Sequence, residues 1–252
     1  MRNLIYVCVF HNKEYVKLLS LLLRSIKEYG DFDSNVDTDF VIFTHRNFYN
    51  DISGIVEEHS LSNVYIRLLE LETIVQSKYA RLLIFEYERI NEYEKILYLD
   101  TDILIVKPLR DIFSHELQER LYAVQECDIS GEYFGKHLFD FNKIHIKTPA
   151  FNSGVLLFKN CDVIKELFRD ILNHILEYQG TVGFGSCVDQ PFFNYHAITK
   201  GIQETKLMFN YSINNPYAYK TQPKIAICHF AGSYGSLSEK YKVMETFLCN
   251  VC

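Results

Sequence analysis

Lys95-Ile96-Leu97-Tyr98-Leu99-Asp100-Thr101-Asp102-Ile103-Leu104-Ile105-Val106 decides how the rest of the chain is read. It opens with an apolar, β-prone run too short for a helix, which reads as a buried strand. Two carboxylates follow where that strand should end. One residue separates them, so in extended backbone both point to the same face. Ligands of open α/β sheets bind outside the carboxyl ends of the strands. Two acids placed there suit a hard divalent cation such as Mn²⁺ or Mg²⁺, which prefers carboxylate oxygen and water.

The tripeptide alone is a weak signal. Asp37-Thr38-Asp39 repeats it ahead of the apolar run Phe40-Val41-Ile42-Phe43, at the amino end of a strand, where it starts an element rather than binding a ligand. Asp31-Phe32-Asp33 is a third copy, in a polar turn. Position after a strand is what singles out Asp100 and Asp102.

Around that stretch, strands alternate with helices. Residues 3–10, 40–44 and 64–69 read as strands. Residues 13–29 carry a helical period through Val16, Leu19, Leu22, Leu23 and Ile26, with Gly30 placed to stop it. Residues 50–59 read as a weaker helix, and 73–91 as one long helix leading into the Asp100 strand. The alternation predicts an α/β fold with a mostly parallel, doubly wound sheet. No internal repeat or low-complexity linker divides the 252 residues, which suit a single domain.

After Val106 the pattern changes. Pro108 ends the extended run, and 121–125 reads as a short strand. Residues 128–149 have no clean period but carry His137, His145 and several aromatics, as an ordered lid or substrate wall would. Residues 151–158 resume as a strand and 163–178 as a helix. A glycine-rich loop over 180–186, a helix from Asp189, a last strand over 224–230 and a last helix over 239–248 complete the chain.

Composition sets the boundaries of function. Apolar content of 48% and aromatic content of 15% are ample for a core, and the net charge of −6 argues against a nucleic-acid footprint. Any bound phosphate then needs a local device: a metal, a few basic side chains or a helix N-terminus. No secretory signal is visible and no stretch approaches transmembrane length. Seven scattered cysteines, mostly in apolar runs, fit reduced thiols in a cytoplasmic protein.

A metal needs a third protein ligand or a substrate phosphate beside the two acids. His229 ends the strand Ile225-Ala226-Ile227-Cys228, at a position equivalent to Asp102, although a lone His after an apolar run is commonly a satisfied core residue. Asn152-Ser153-Gly154 is readable as a turn with a side-chain bond to backbone, or as an amide and a hydroxyl offered to a sugar. Asp189 precedes Gln190-Pro191 and reads as a helix cap, a use compatible with ligand contact. Arg81, one turn after Lys78, reads as a solvated residue or as a phosphate contact.

Taken together and in order, these pieces resemble glycosyltransferase family 8, which includes glycogenin and bacterial lipopolysaccharide galactosyltransferases. The resemblance runs from Val9-Phe10-His11-Asn12 and Tyr15 through Tyr79-Ala80-Arg81-Leu82 and the Asp100 stretch. It continues through Phe151-Asn152-Ser153-Gly154-Val155 and Asp189-Gln190 to His229-Phe230-Ala231-Gly232. It implies a GT-A fold and a retaining, Mn²⁺-dependent transferase that moves a hexose from a UDP-sugar to a glycan or protein acceptor. UDP-glucose is the favoured donor and UDP-galactose the next, and a homodimer is a common family assembly.

Carried over by position, Val9, His11, Asn12 and Tyr15 would hold uracil and ribose, and Arg81 the donor sugar or phosphate. Asp100, Asp102 and His229 would ligate the metal, with Thr101 between the acids beside the nucleotide. Asn152, Ser153, Asp189 and Gln190 would bind the transferred sugar, Asp128 would face sugar or acceptor, and Gly232 would give close approach to the pyrophosphate. Residues 1–106 would form the nucleotide half and 107–252 the sugar and acceptor half.

One departure stands out. The family follows its His-x-x-Gly turn with Lys-Pro-Trp, the lysine binding the β-phosphate. Here the run is His229-Phe230-Ala231-Gly232-Ser233-Tyr234-Gly235-Ser236, Gly235 stands where the lysine belongs, and Lys240 lies a few residues on. A sugar-nucleotide-binding protein without transfer is therefore an alternative, as is, more remotely, a haloacid-dehalogenase-type phosphohydrolase. Tyr217-Ala218-Tyr219 lies where glycogenin glucosylates itself.

Overall fold

The computed structural model describes residues 2–32, 37–71, 73–178, 188–222, 224–232 and 234–250. The loop expected over 180–186, Ser233 and the side chain of Tyr217 lie outside that description. Strands are β1 (Arg2–Val9), β2 (Thr38–Thr44), β3 (Val64–Leu68), β4 (Tyr93–Leu99), β5 (Ile103–Ile105), β6 (Leu121–Asp128), β7 (Pro149–Lys159), β8 (Gln203–Glu204), β9 (Ser212–Ile213) and β10 (Ile227–His229). Helices are α1 (Lys13–Tyr29), α2 (Tyr49–Glu58), α3 (Ile74–Tyr79), α4 (Arg110–Phe113), α5 (Asp162–Glu177), α6 (Gln190–Thr199), α7 (Lys206–Phe209) and α8 (Leu237–Cys249). No helix among the described residues is long and apolar enough to cross a membrane.

Seven strands form one sheet in the order β3-β2-β1-β4-β7-β6-β8, and three form a second in the order β5-β10-β9. The large sheet is mostly parallel: β3, β2, β1 and β4 run the same way. Alternate residues of β1 explain its two coats. Ile5, Val7 and Val9 face the Leu19, Leu22 and Ile26 stripe of α1, while Leu4 and Tyr6 face a core containing Leu167 and Phe168 of α5. β7 breaks the parallel order by running antiparallel between β4 and β6. That reversal lays its early residues beside the carboxyl end of β4, and Asp100 N donates to Gly154 O at 2.8 Å.

One expectation fails locally, and another, the stop at Gly30, holds for a different reason. The single helix over 73–91 is instead α3, started by a Thr73–Gln76 capping box, followed by 3₁₀ turns over Ala80–Glu86 and Ile90–Glu92. Tyr6 Oη donates to the Arg81 carbonyl at 3.0 Å, tying this segment to the sheet where a regular helix would have used that oxygen itself. Gly30 ends α1 with φ −77°, so no left-handed turn selects it. Space does: a Cβ there would lie 2.6 Å from the Ile26 carbonyl oxygen.

The early Asp-Thr-Asp copy is structural, as expected. Asp39 is fully buried in β2, where Arg2 and Arg89 pair with it and Tyr93 Oη donates to it at 2.7 Å. The segment 128–149 is ordered into two 3₁₀ turns over its own small core of Ile129, Phe134 and Phe139.

Candidate functional site

Asp100 leaves β4 and Asp102 enters β5, and β5 pairs antiparallel with β10 so that Ile103 lies opposite His229. Phe230 N donates to Asp102 O at 2.9 Å and locks that register. The far-separated imidazole therefore arrives beside the acids. His229 Nε2 lies 3.3 Å from Asp102 Oδ1 and 4.0 Å from Asp100 Oδ2. One ligand atom from each of the three lies within 4.8 Å of the others. Asn214 Oδ1 meets the other ring nitrogen at 3.3 Å, the kind of outer partner that orients a metal-binding histidine.

Room at this centre comes from a glycine. A Cβ on Gly154 would strike His229 Cε1 and sit 2.7 Å from Asp100 Oδ2. Two carboxylates and one imidazole, with glycine leaving space, fit a hard or borderline divalent ion such as Mn²⁺ or Mg²⁺.

Lys240, in the first turn of α8, donates to Asp102 Oδ2 at 2.6 Å. Gly235 has φ +82°, and its missing Cβ leaves space for the Glu239 carboxylate. That carboxylate closes the Ser236–Glu239 capping box that starts α8. A lysine at 235 would clash with the cap, and the cation enters one turn later.

Charges around the centre are tightly coupled. Burial alone would raise the Asp102 carboxyl, but His229 and Lys240 outweigh it and hold it well below the usual range. Burial alone would lower the His229 imidazole, but Asp102 and then Asp100 outweigh it and raise its pKa.

Arg81 is not a solvated residue: its side chain is 12% exposed. Its Nε lies 2.7 Å from Asp189 Oδ2, and Nη1 donates to Ser153 O at 2.6 Å and lies 3.5 Å from Asp100 Oδ1. The guanidinium stacks over Tyr98, 4.4 Å from the ring centroid, and Tyr98 Oη donates to Asp100 Oδ1 at 2.5 Å. Asp189 makes no side-chain cap on α6, contrary to the plain reading, because its carboxylate is turned to Arg81. Burial raises the Asp189 pKa and Arg81 lowers it again in part.

A cleft of about 310 Å³ opens over these groups, lined among others by His11, Tyr15, Arg81, Asp100, Asp102 and Lys240, with Thr101 and Asp189 on its wall. A hollow of about 200 Å³ shares Phe10, His11 and Ser77 with it and reaches His45 and Asn47. His11 holds φ +70°, an uncommon conformation at the turn between β1 and α1.

Other expected residues are engaged elsewhere. Val9 is buried in the core, and Asn12 caps α1 by accepting from Glu14 N at 2.9 Å. Asn152 Oδ1 accepts from Gly154 N at 2.7 Å, and its Nδ2 donates to Glu126 Oε2 at 2.7 Å. Ser153 is buried, and its N donates to Gln190 Oε1 at 3.1 Å. Gln190 Nε2 donates to Tyr133 O at 3.1 Å, so this amide bridges β7 to the 128–149 segment. Gly232 holds φ +86° just past His229. Asp128 is not among the cleft-lining residues. It binds Ser130 and lies 3.0 Å from Lys147 Nζ, and Ser130 first, then Lys147, lower its pKa to about 2. The ring of Tyr219 packs on Phe247 with centroids 5.1 Å apart.

The sequence reading missed the roles of Gly154, Tyr98 and Asn214. Gly154 and Tyr98 lie within motifs already quoted. Asn214 follows a two-residue strand that no periodicity reveals.

The chain is similar to glycogenin of Komagataella phaffii, 29% identical over 158 residues, which cover 56% of this chain and 33% of that protein. Its fold is similar to the apo structure of the bifunctional glycosyltransferase WbbM, with TM-score 0.70 and 17% identity, over 99% of this chain and 50% of that one. It is also similar to galactosyltransferase LgtC in complex with donor and acceptor sugar analogues, with TM-score 0.62 and 17% identity, over 98% and 95% of the two chains. The match spans about a third of the length of the glycogenin relative. The phosphohydrolase alternative has no place in this company. The model of Glycosyl transferase family 8 matches residues 6–235, and the chain belongs to that family.

Proposed function

We propose that this protein is a retaining, Mn²⁺-dependent hexosyltransferase that uses a UDP-sugar, UDP-glucose first and UDP-galactose second. The observation that carries the reading is the convergence of Asp100, Asp102 and His229, with both acids lining the cleft. Bound by these three, the ion would supply positive charge for the departing diphosphate. The chain acts as one unit, residues 1–106 gripping the nucleotide and 107–252 the sugar and acceptor. His11 and Tyr15 line the cleft on the nucleotide side, and the hollow reaching His45 suits a base. Arg81 orders the floor by holding Asp189, Asp100 and the Ser153 carbonyl at once.

The donor's anomeric C–O bond breaks and its electron pair leaves with UDP, while the acceptor oxygen forms the new bond and its proton passes to the departing diphosphate. Two groups near the transferred sugar are already committed. Asp189 is paired with Arg81, and both polar atoms of Gln190 serve the framework. Neither is free to capture the sugar, which favours direct attack from the face that UDP leaves. The acceptor is a sugar or protein hydroxyl, and the packed ring of Tyr219 disfavours that residue as a self-acceptor. Free thiols at Cys8, Cys127, Cys161, Cys228 and Cys249 suit the reducing cytoplasm.

Incubation with each UDP-sugar and Mn²⁺, followed by chromatography for UDP, tests the reading. UDP should accumulate with the wild type and not with Asp102→Asn. A second reading, binding without transfer, draws on the Lys240 ammonium seated on a metal ligand. Tight UDP-sugar binding with no UDP formed by the wild type would establish it.

A further inference from the structure

Away from the cleft, α5 and α6 pack on each other through Phe168 and Phe193, with ring centroids 5.4 Å apart. Each helix also sends a histidine from its last turn to one point, His174 from α5 and His196 from α6. His174 Nδ1 and His196 Nε2 stand 2.9 Å apart, and both residues are half-buried, within reach of solvent ions. From this geometry we propose that the two imidazoles form a second metal site, selective for a late first-row divalent ion and for Zn²⁺ foremost. The inference goes beyond the transferase reading and does not depend on it.

The rings are held ready for a ligand. Phe192, Tyr195 and Tyr178 pack on the His174 ring with centroids 4.9, 5.5 and 6.3 Å away, and Tyr195 packs on His196 at 5.2 Å. Nitrogens fixed in this way lose little rotamer freedom when an ion arrives. Zn–N bonds of about 2.0–2.1 Å in a tetrahedral array set two nitrogens roughly 3.3 Å apart. The observed separation is that of an N–H···N bond, so the rings need to part by only about 0.4 Å.

Protonation and charge suit a cation. Burial lowers both imidazole pKa values, and His174 adds to the effect on His196, which falls to about 4. Both rings are therefore neutral near neutral pH, the form that binds metal. On binding, the proton between the rings moves to the outer nitrogen of the ring that carries it. Two waters leave the hydrated ion and two Zn–N bonds form, with no net change in protons. The Glu177 charge acts on His174 and the Asp170 charge on His196, both favouring a cation, while the Lys200 ammonium opposes it. Each ring also sits in the last turn of its helix, the negative end of the macrodipole.

Donor type separates the two centres. Paired imidazoles suit Zn²⁺, Cu²⁺ or Ni²⁺, whereas Mn²⁺ stands lowest in the affinity order and is better matched by the carboxylates of Asp100 and Asp102. Among the described residues no third Asp, Glu, Cys or His closes on the pair, so water completes the shell. Two donors of a usual four predict a dissociation constant of roughly 1–100 μM. An ion there would pin α6 to α5, and α6 opens at Gln190, next to the Asp189 that Arg81 holds.

The test uses the full chain without an affinity tag, and Zn²⁺ alone as the probe. Carbon–proton NMR spectra follow the imidazole signals, and calorimetry reads stoichiometry and affinity. A parallel arm uses Asp102→Asn, which weakens Zn²⁺ binding at the other centre. In both proteins the His174 and His196 signals should shift together with one equivalent of Zn²⁺, and Mn²⁺ at the same concentration should leave them in place. His174→Gln and His196→Gln should each weaken that event by at least tenfold, with the His229 response to Zn²⁺ unchanged. The wild-type spectra decide the matter even where a variant folds poorly. Unmoved His174 and His196 signals at millimolar Zn²⁺, or uptake that both glutamine variants leave intact, would overturn the site. Equal shifts with Mn²⁺ would overturn its selectivity.

Discussion

Replacing Lys240 with methionine should strengthen divalent-ion binding while weakening diphosphate binding. The ammonium donates to Asp102 at 2.6 Å, with the two side chains only 12% and 17% exposed, so an ion entering the triad must displace it. A hydrogen bond to a charged partner nets about 1.5–3 kcal/mol, and each ~1.4 kcal/mol is tenfold in affinity. Mn²⁺ affinity without nucleotide should therefore rise by about tenfold to a hundredfold. Methionine retains much of the apolar stem, which limits packing loss. Once displaced, the ammonium is free to meet the diphosphate, so UDP at saturating Mn²⁺ should bind the variant about tenfold more weakly. Calorimetric titration with MnCl₂ alone, and with UDP in excess Mn²⁺, reads both effects. A lysine that only supported the fold would weaken both. Mn²⁺ affinity equal to or below the wild type, at an unchanged melting temperature, would refute the displacement. Unaltered UDP affinity would refute the ammonium's second role.

Further outcomes follow from the same geometry. Gly154→Ala should abolish Mn²⁺ binding read by electron paramagnetic resonance and cost about 1–3 kcal/mol in urea, since its Cβ has no space beside His229 and Asp100. Arg81→Met should cost about 3–5 kcal/mol by leaving Asp189 charged and buried, and adding Asp189→Asn should recover most of that. His229 has a folded-state pKa above its unfolded value, so without metal its contribution to stability is full below about pH 6.5 and fades as pH rises through the folded value. Metal binding needs the neutral ring, so Mn²⁺ affinity should climb over that same interval with protons released, measurable by calorimetry in buffers of different ionisation heat. Asn214→Leu removes the outer partner of His229 and should weaken Mn²⁺ binding by roughly tenfold to a hundredfold.

Much of this architecture was legible in the residues because it follows from local rules. The apolar period of α1 and the strand before Asp100 each declare themselves within a dozen residues, and two acids at a strand's end need no tertiary knowledge to suggest a ligand. His229 was legible for the same reason, as a histidine at a strand's carboxyl end. What escaped depends on contacts between distant segments. The antiparallel course of β7 is a property of its pairing with β4, not of its alternation. Arg81 and Asp189 each have a common local use, solvation and capping, and their mutual pairing across 108 positions overrides both. The 73–91 segment has good helix formers, yet Tyr6 draws on the Arg81 carbonyl and the chain there continues in 3₁₀ turns.

The candidate metal triad draws on both sheets: Asp100 closes a strand of the larger, and His229 ends the middle strand of the smaller. An ion shared by the three is also a rivet between two hydrogen-bonded bodies, and its binding free energy adds to their adhesion. Without the ion proposed for this site, the smaller sheet should be the first part to open, with its amide hydrogens exchanging ahead of the rest. Proteases act on such open forms, so the supply of the ion would govern how long each molecule survives as well as how fast it works.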